Sequence, residues 1–308
     1  MLWDPLHLPD LQGRTYAVTG STAGIGYFAA EQLAAAGAHV VLVARNPAKL
    51  AKARASLAAY APKGSSSEVV ADLADLAAVR RGAEELAALP RLDGILLNGG
   101  SMDRRSTAST TDGHPVLLGT HVLASMALIA GVLPALATTG THAVPARIVH
   151  TSTGFVRMFP QRVDDLTGTS REWVFTYTKA KTLVEIVAYE LDRRLRENGM
   201  PVLSLLSRPG VGVDGRTPCR AGVHDETTAQ RRHLLAPWAQ GKDTAAWSAV
   251  RALVDPGAHG GDYFTPSGSF RGAPVLEQKR APSTSLSAAE TTRVWDELSR
   301  LAGVRMPV

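Results

Sequence analysis

Short apolar runs alternate along the chain with longer Ala- and Leu-rich stretches. The short runs, of strand length, are Thr15–Thr19, His39–Ala44, Glu68–Ala71, Gly94–Leu97, Ala146–Thr151 and Pro201–Leu206. Stretches of helical length lie between or after them: Ile25–Ala36, Pro47–Tyr60, Leu73–Leu89, Val116–Thr138 and Tyr177–Asn198. Strands that are apolar on both sides belong in a parallel sheet covered by helices on both faces. The alternation therefore predicts an α/β fold of the Rossmann type, a doubly wound parallel sheet with helices on both faces. One domain over residues 1–308 is the expectation, since 308 residues with 45% hydrophobic content can bury a single large core. No repeat with a period of 20–50 residues is visible.

Two stretches break the rhythm. A polar insertion, Gly154–Val174, follows the fifth strand, and Pro209–Gly241 is irregular. Long loops in compact domains are often lids or binding loops. A variable substrate lid is therefore expected near 211–241. The His224-Asp225-Glu226 triplet within it is read as a solvated loop, because three consecutive residues do not converge on one ion. No metal site is expected.

Charge and cysteine usage narrow the classes. The net charge is +5, but Arg and Lys are scattered and not interleaved with aromatics, so no nucleic-acid partner is expected. The single cysteine, Cys219, permits no disulfide within one chain. The first ten residues lack the basic start and apolar stretch of a signal peptide, and a cytoplasmic location is the expectation. The apolar stretch Val116 to Ala137 is interrupted by His121 and Pro134, and is read as a buried helix with no membrane role.

Candidate chemistry begins at the first strand. Thr19-Gly20-Ser21-Thr22-Ala23-Gly24-Ile25-Gly26 follows an apolar strand and opens a helix. Glycines let the backbone approach a pyrophosphate, and the helix presents unpaired N–H groups and a positive dipole end. Gly20, Ser21, Thr22, Gly24, Ile25 and Gly26 are thus candidate cofactor contacts. The second strand ends at Ala44-Arg45-Asn46. An acidic residue there would bind the adenosine ribose of NAD, whereas Arg45 suits the 2′-phosphate of NADP. A charge-assisted contact of this kind contributes about 1.5–3 kcal/mol. NADP(H) is therefore the expected cofactor; a surface arginine at a strand end is the alternative.

Further motifs follow in order: Asp72-Leu73 after the third strand, Asn98-Gly99-Gly100 after the fourth, Thr151-Ser152-Thr153 after the fifth, Tyr177 and Lys181 in the next helix, and Pro209-Gly210 after the sixth strand. With the TGxxxGxG turn, this set resembles the short-chain dehydrogenase/reductase family over essentially the whole chain. Within it, the chain is most similar to retinol-dehydrogenase-like oxidoreductases, through Asp164-Asp165-Leu166 and Thr110-Thr111-Asp112-Gly113. Gly261-Asp262-Tyr263-Phe264 and Arg271-Gly272-Ala273-Pro274 resemble the tail of bacterial members.

The resemblance implies roles. Tyr177 would exchange a proton with the substrate oxygen, and Lys181, on the same helix face, would lower its pKa and hold the nicotinamide ribose. Asp72, Leu73, Asn98, Gly99, Gly100, Pro209 and Gly210 would line or support the cofactor site, with Asn98 bridging strand ends. Thr153 stands at the family's catalytic serine. Adjacent Ser152 should point to the opposite face. His121 stands where the family places a relay asparagine; it either holds a water in that relay, titrating near 6.5, or is a packed core histidine.

The expected function is an NADP(H)-dependent oxidoreductase that interconverts a carbonyl and a secondary alcohol on a mostly apolar small molecule. A ketoreductase of secondary metabolism would suit these features. The alternatives are a dinucleotide-bound scaffold for a non-redox cyclisation or isomerisation, and a non-catalytic dinucleotide-binding protein. Pocket walls would come from Thr153–Val174 and from Val211–Arg232, with Val211, Val213 and Val223. Family members pair through the helix that bears Tyr177 and the following helix, so a homodimer or homotetramer is expected.

Overall fold

The computed structural model describes residues 3–103, 105, 107–228, 236–279 and 283–308. Eight strands are described: β1 Thr15–Thr19, β2 His39–Ala44, β3 Ser65–Val70, β4 Gly94–Leu97, β5 Ala146–Thr151, β6 Val202–Ser207, β7 Tyr263–Pro266 and β8 Pro274–Glu277. They form one sheet in the order β3-β2-β1-β4-β5-β6-β7-β8. All neighbours are parallel except β7 and β8. The order reverses between β1 and β4, and at such a switch point a crevice opens beyond the carboxyl ends of the strands.

The helices are α1 Gly24–Ala35, α2 Pro47–Tyr60, α3 Leu76–Ala87, α4 Val116–Leu118, α5 Ala124–Thr139, α6 Phe155–Met158, α7 Trp173–Glu197, α8 Lys242–Ala245, α9 Trp247–Val254 and α10 Ala288–Ala302. Two apolar layers cover the sheet. One holds Leu33, Leu50 and Leu253, from α1, α2 and α9. The other holds Val79, Leu128, Leu183 and Trp295, from α3, α5, α7 and α10. Helices thus lie on both faces, as the alternation predicts. The stretch from Val116 to Thr139 is long and apolar enough to cross a membrane, and most of it is buried in the second layer.

Strand β3 begins three residues before its apolar run. Ser65 and Ser67 pair beside His39, and their hydroxyls meet its ring nitrogens at 2.8 Å each. An edge strand can carry polar residues, which hid its start from a hydrophobic reading. Strands β7 and β8 were also not apparent as strands. Helix α10 did leave a signal: Ser287 and Glu290 form a capping box, followed by buried Val294, Trp295 and Leu298.

The segment after β6, where a lid is expected, is anchored in its described part. Val223 packs with Phe28 in the first layer, and Arg220 holds Glu31 of α1 through two bonds of 2.5 and 2.7 Å. The Arg220 guanidinium also covers the Tyr60 ring at 4.5 Å. This part of the segment is fastened to the α1–α2 layer. Arg232, at its far end, lies outside the described residues.

Candidate active site

The glycine turn is built by close backbone approach. Gly20 has φ +66°, and a Cβ on it would press against Gly99. A Cβ on Gly26 would collide with the Gly20 carbonyl and the Asn98 amide. Thr19 Oγ1 accepts from the backbone N–H of Asn98 at 3.0 Å and of Gly99 at 2.8 Å, while Asn98 Nδ2 donates to the Thr19 carbonyl at 3.3 Å. The ends of β1 and β4 are thereby stapled together, and Asn98 has the bridging place the resemblance implied.

Helices α2 and α3 begin with side-chain caps from Asn46 and Asp75. Helix α1 has none, and no acidic residue stands in its first turn. Its leading N–H groups are thus free of side-chain caps, as a phosphate site requires. Beside it a cleft of about 300 Å³ is lined by Gly20, Thr22, Arg45, Asp72, Leu73 and Gly99, among others. These come from the carboxyl ends of β1 to β4. Gly100 and Thr120 also face it. The glycine cradle, the uncapped helix and Arg45 at the rim fit a nicotinamide dinucleotide.

The other proposed contacts are placed differently. Ser21 is buried, with its hydroxyl toward the Val43 carbonyl at 3.5 Å. Gly24 and Ile25 form the first turn of α1. Gly210 has φ +70° and lies against the Phe270 carbonyl, and the Pro209 carbonyl accepts from Gln240 Nε2 at 2.8 Å. That turn is clamped between the β7–β8 connection and Gln240.

Three consecutive residues at the end of β5 meet three α7 residues spaced by one turn. The Thr153 hydroxyl lies beside Tyr177 and favours its phenolate. The Thr151 carbonyl accepts from Lys181 Nζ at 2.7 Å. Strand alternation predicts that Ser152 faces away from this helix, but just past the end of β5 it also meets α7 and donates to Glu185 Oε1 at 2.5 Å. Lys181 Nζ stands 5.9 Å from the centre of the Tyr177 ring. The structure thus brings Thr153, Tyr177 and Lys181 together.

Burial dominates the electrostatics. It pushes the Tyr177 phenol up to about 12, against a lowering contribution from Thr153. It pushes Lys181 down to about 7, opposed by the Glu185 charge. The expected lowering of Tyr177 by Lys181 is therefore not found in the protein alone: desolvation of the phenolate outweighs it.

His121 sits in a π-helical turn, Gly119–Leu123, which links α4 to α5. Its ring is edge-on to Tyr177 at 5.6 Å, and Nε2 meets the Ser101 carbonyl at 2.9 Å. A nitrogen facing a carbonyl carries the proton, so Nδ1 is left as the acceptor. Nδ1 is buried and has no hydrogen-bond partner among the described residues. Burial, and next the Lys181 charge, hold this imidazole well below its ordinary value. Burial and the Lys181 charge thus favour a neutral His121, whose Nδ1 can accept a hydrogen bond.

Sequence reasoning missed Thr120 and Glu185. Thr120 Oγ1 accepts from the Ser101 N–H at 3.0 Å and donates to the Val116 carbonyl at 2.7 Å, which steadies the cleft wall beside His121. It gave no signal beyond its adjacency to His121. Glu185 is a buried carboxylate four residues after Lys181, and that helical spacing was the available clue.

The Thr110–Gly113 and Asp164–Leu166 motifs have structural work here. Asp112 caps the Leu76 N–H at 2.9 Å. Leu166 is buried, and Asp165 bonds the Gly168 N–H at 2.9 Å while Lys179 Nζ donates to the Asp165 carbonyl at 2.8 Å. The insertion is thereby fixed to α7. Aromatic rings of the insertion and of α7 then gather at Tyr177: Trp173 at 5.9 Å and Phe155 at 6.4 Å, with Phe159 beside Phe155 at 5.7 Å.

Comparison with known proteins agrees with this geometry. The short chain dehydrogenase family model matches residues 14–158. Polyprenol dehydrogenase of Mus musculus is 31% identical over 97% of this chain and 87% of its own. A short chain dehydrogenase/reductase of Colletotrichum higginsianum is 30% identical over 82% of this chain and 67% of its own. Another, from Neocamarosporium betae, is 38% identical, but over 42% of this chain and 40% of its own. Among solved structures, an uncharacterised protein from Mycobacterium paratuberculosis has a TM-score of 0.78 at 24% identity, with 99% of each chain covered. The RhlG/NADP complex of Pseudomonas aeruginosa has a TM-score of 0.62 at 21% identity, covering 85% of this chain and 97% of its own. The match to the mouse protein over nearly the whole chain, with the assembled Thr153, Tyr177 and Lys181, shows that the chain belongs to the short-chain dehydrogenase/reductase family of oxidoreductases.

Proposed function

We propose that this protein is an NADP(H)-dependent oxidoreductase that interconverts a carbonyl and a secondary alcohol on a mostly apolar small molecule. The observation that carries the reading is Arg45 at the rim of the dinucleotide cleft, where β2 ends. A guanidinium with no ion-pair partner among the described residues suits a 2′-phosphate at this place and gives NAD no comparable contact. The NADP complex of the Pseudomonas aeruginosa relative in fold is consistent with this choice.

Bound in the cleft, the dinucleotide supplies or accepts the hydride. Every other task falls to the chain. Tyr177, with its proton firmly held, acts as general acid toward the substrate oxygen, and the Thr153 hydroxyl orients the phenol and can donate to the same oxygen. Lys181, as an ammonium, favours the phenolate left after proton transfer and can hold the nicotinamide ribose. The neutral Nδ1 of His121 is a buried acceptor whose desolvation costs about 1–3 kcal/mol if it stays unpaired, so it binds a water or a substrate hydroxyl during turnover. Trp173, Phe155 and Phe159 offer a half-buried aromatic wall next to Tyr177, which favours an apolar and often unsaturated substrate.

The test is a panel of aliphatic and aryl ketones monitored at the NADPH absorbance. Oxidation of NADPH with aryl or apolar ketones is expected. A chain that binds NADPH but never oxidises it on the panel or forms it from alcohols would support the second reading, a non-redox step on a bound dinucleotide. The unpartnered acceptor on His121 is the observation that favours that reading. We also propose a homodimer or homotetramer acting in the cytoplasm, to be read from light scattering and cell fractionation.

A further inference from the structure

Glu185 is a carboxylate with almost no access to solvent. Three hydroxyls from three separate parts of the chain donate to it. Ser152, just past β5, donates to Oε1 at 2.5 Å, and Tyr263 on β7 donates to Oε1 at 3.0 Å. Ser283, between β8 and α10, donates to Oε2. A buried carboxylate is costly, and three donors are a large provision for one that serves packing alone. Its place in the helix is informative. Tyr177, Lys181 and Glu185 succeed one another at one-turn spacing, and each meets one of Thr153, Thr151 and Ser152.

We propose that Glu185 is a positioning residue for the Tyr177–Lys181 pair: it fixes the register of α7 against the end of β5 and supplies the buried negative charge that keeps Lys181 an ammonium. The assignment rests on the reading of Tyr177 and Lys181 as the reacting pair. The surroundings explain why a counter-charge is needed. Lys181 faces His121 from the π-helical turn and His150 from β5, both held neutral by burial and by Lys181 itself. Tyr177, on its own helix, retains its proton. Among the charged groups that bear on Lys181, Glu185 is the one that favours its charged form.

The carboxylate has its own support. Burial raises the Glu185 carboxyl above its ordinary value, and Ser152, Ser283, Tyr263 and the charge of Arg208, just past β6, hold that rise in check. Tyr263 and Tyr189 keep their protons beside it. Arg208 is itself anchored, donating to the Ser269 carbonyl at 3.0 Å and to Glu277 at 3.1 Å. The carboxyl that faces Lys181's helix turn is thus held by donors from the end of β5, from β7 and from the C-terminal segment together, which ties the C-terminal third of the chain to the reacting pair.

The test is a pH titration of Lys181 in the full chain, read by NMR of lysines labelled at Cε and assigned with Lys181→Arg. Glu185→Gln preserves shape and hydrogen bonding but removes the charge. It is expected to lower the Lys181 titration midpoint by about one pH unit, a tenfold change in its acid constant. The alkaline limb of kcat/KM should move with it, while NADPH affinity changes less than about threefold. Ser283→Ala, a milder change, should move the midpoint the same way by less. If Glu185→Gln fails to fold, Ser283→Ala alone decides. A Lys181 midpoint that stays in place in the folded variants overturns the proposal, even when turnover falls. The midpoint is read without turnover, so a wild-type chain inert toward all carbonyls would overturn the proposed reaction and leave this charge assignment to its own measurement.

Discussion

The His121 imidazole fills the space that a side chain on Gly100 would need: a Cβ built there would overlap three atoms of the ring. The two positions are 21 residues apart and form one steric unit at the wall of the dinucleotide cleft. Gly100→Ala should therefore destabilise the fold by about 1–3 kcal/mol, as overpacking does. Gly100→Ala with His121→Ala should recover most of the loss, measured by urea unfolding of both single variants and the double one. Additive costs would show that the two residues do not compete for this space.

Arg45 faces the cleft from the end of β2. NADPH should bind at least tenfold more tightly than NADH, and Arg45→Ala should erase most of that difference while NADH binding barely changes. Fluorescence titration with both dinucleotides measures it. Equal affinities in the unmodified protein would rule out the 2′-phosphate assignment.

Tyr177 has the Thr153 hydroxyl as its partner and an aromatic wall behind it. Tyr177→Phe preserves that packing and removes the acid. Turnover should fall about 100- to 10,000-fold, the usual worth of a general acid. NADPH affinity should remain close to that of the unmodified chain. Ketone reduction at an undiminished rate would exclude Tyr177 as the proton donor.

The pH dependence follows from Lys181 at about 7 and Tyr177 at about 12. Lowering the lysine value means its charged form is lost as pH rises through about 7, whereas the phenol keeps its proton far beyond that. Ketone reduction by the free enzyme should therefore decline on the alkaline side of about pH 7. His121 is neutral on both sides, so His121→Asn should alter the rate without moving this limb. A limb that disappears in His121→Asn would contradict the assignment.

The sequence by itself determined the sheet's parallel core, the glycine turn, and the identities of Arg45, Tyr177 and Lys181. Each is a local matter: apolar runs of strand length, glycines that permit a close approach, or two side chains one helical turn apart. What depends on distant contacts was decided by the tertiary structure. Ser65–Ser67 join the sheet because His39 on the neighbouring strand bonds their hydroxyls. The expected lid is fastened at Arg220 because Glu31, 189 residues earlier, faces it from α1. The protonation states at the site were equally hidden. Spacing alone suggested a tyrosine lowered by a lysine, and a histidine either titrating near neutrality or packed in the core. Burial reversed the first and favours the packed histidine, because desolvation is set by everything packed around a group and by nothing in its own short motif.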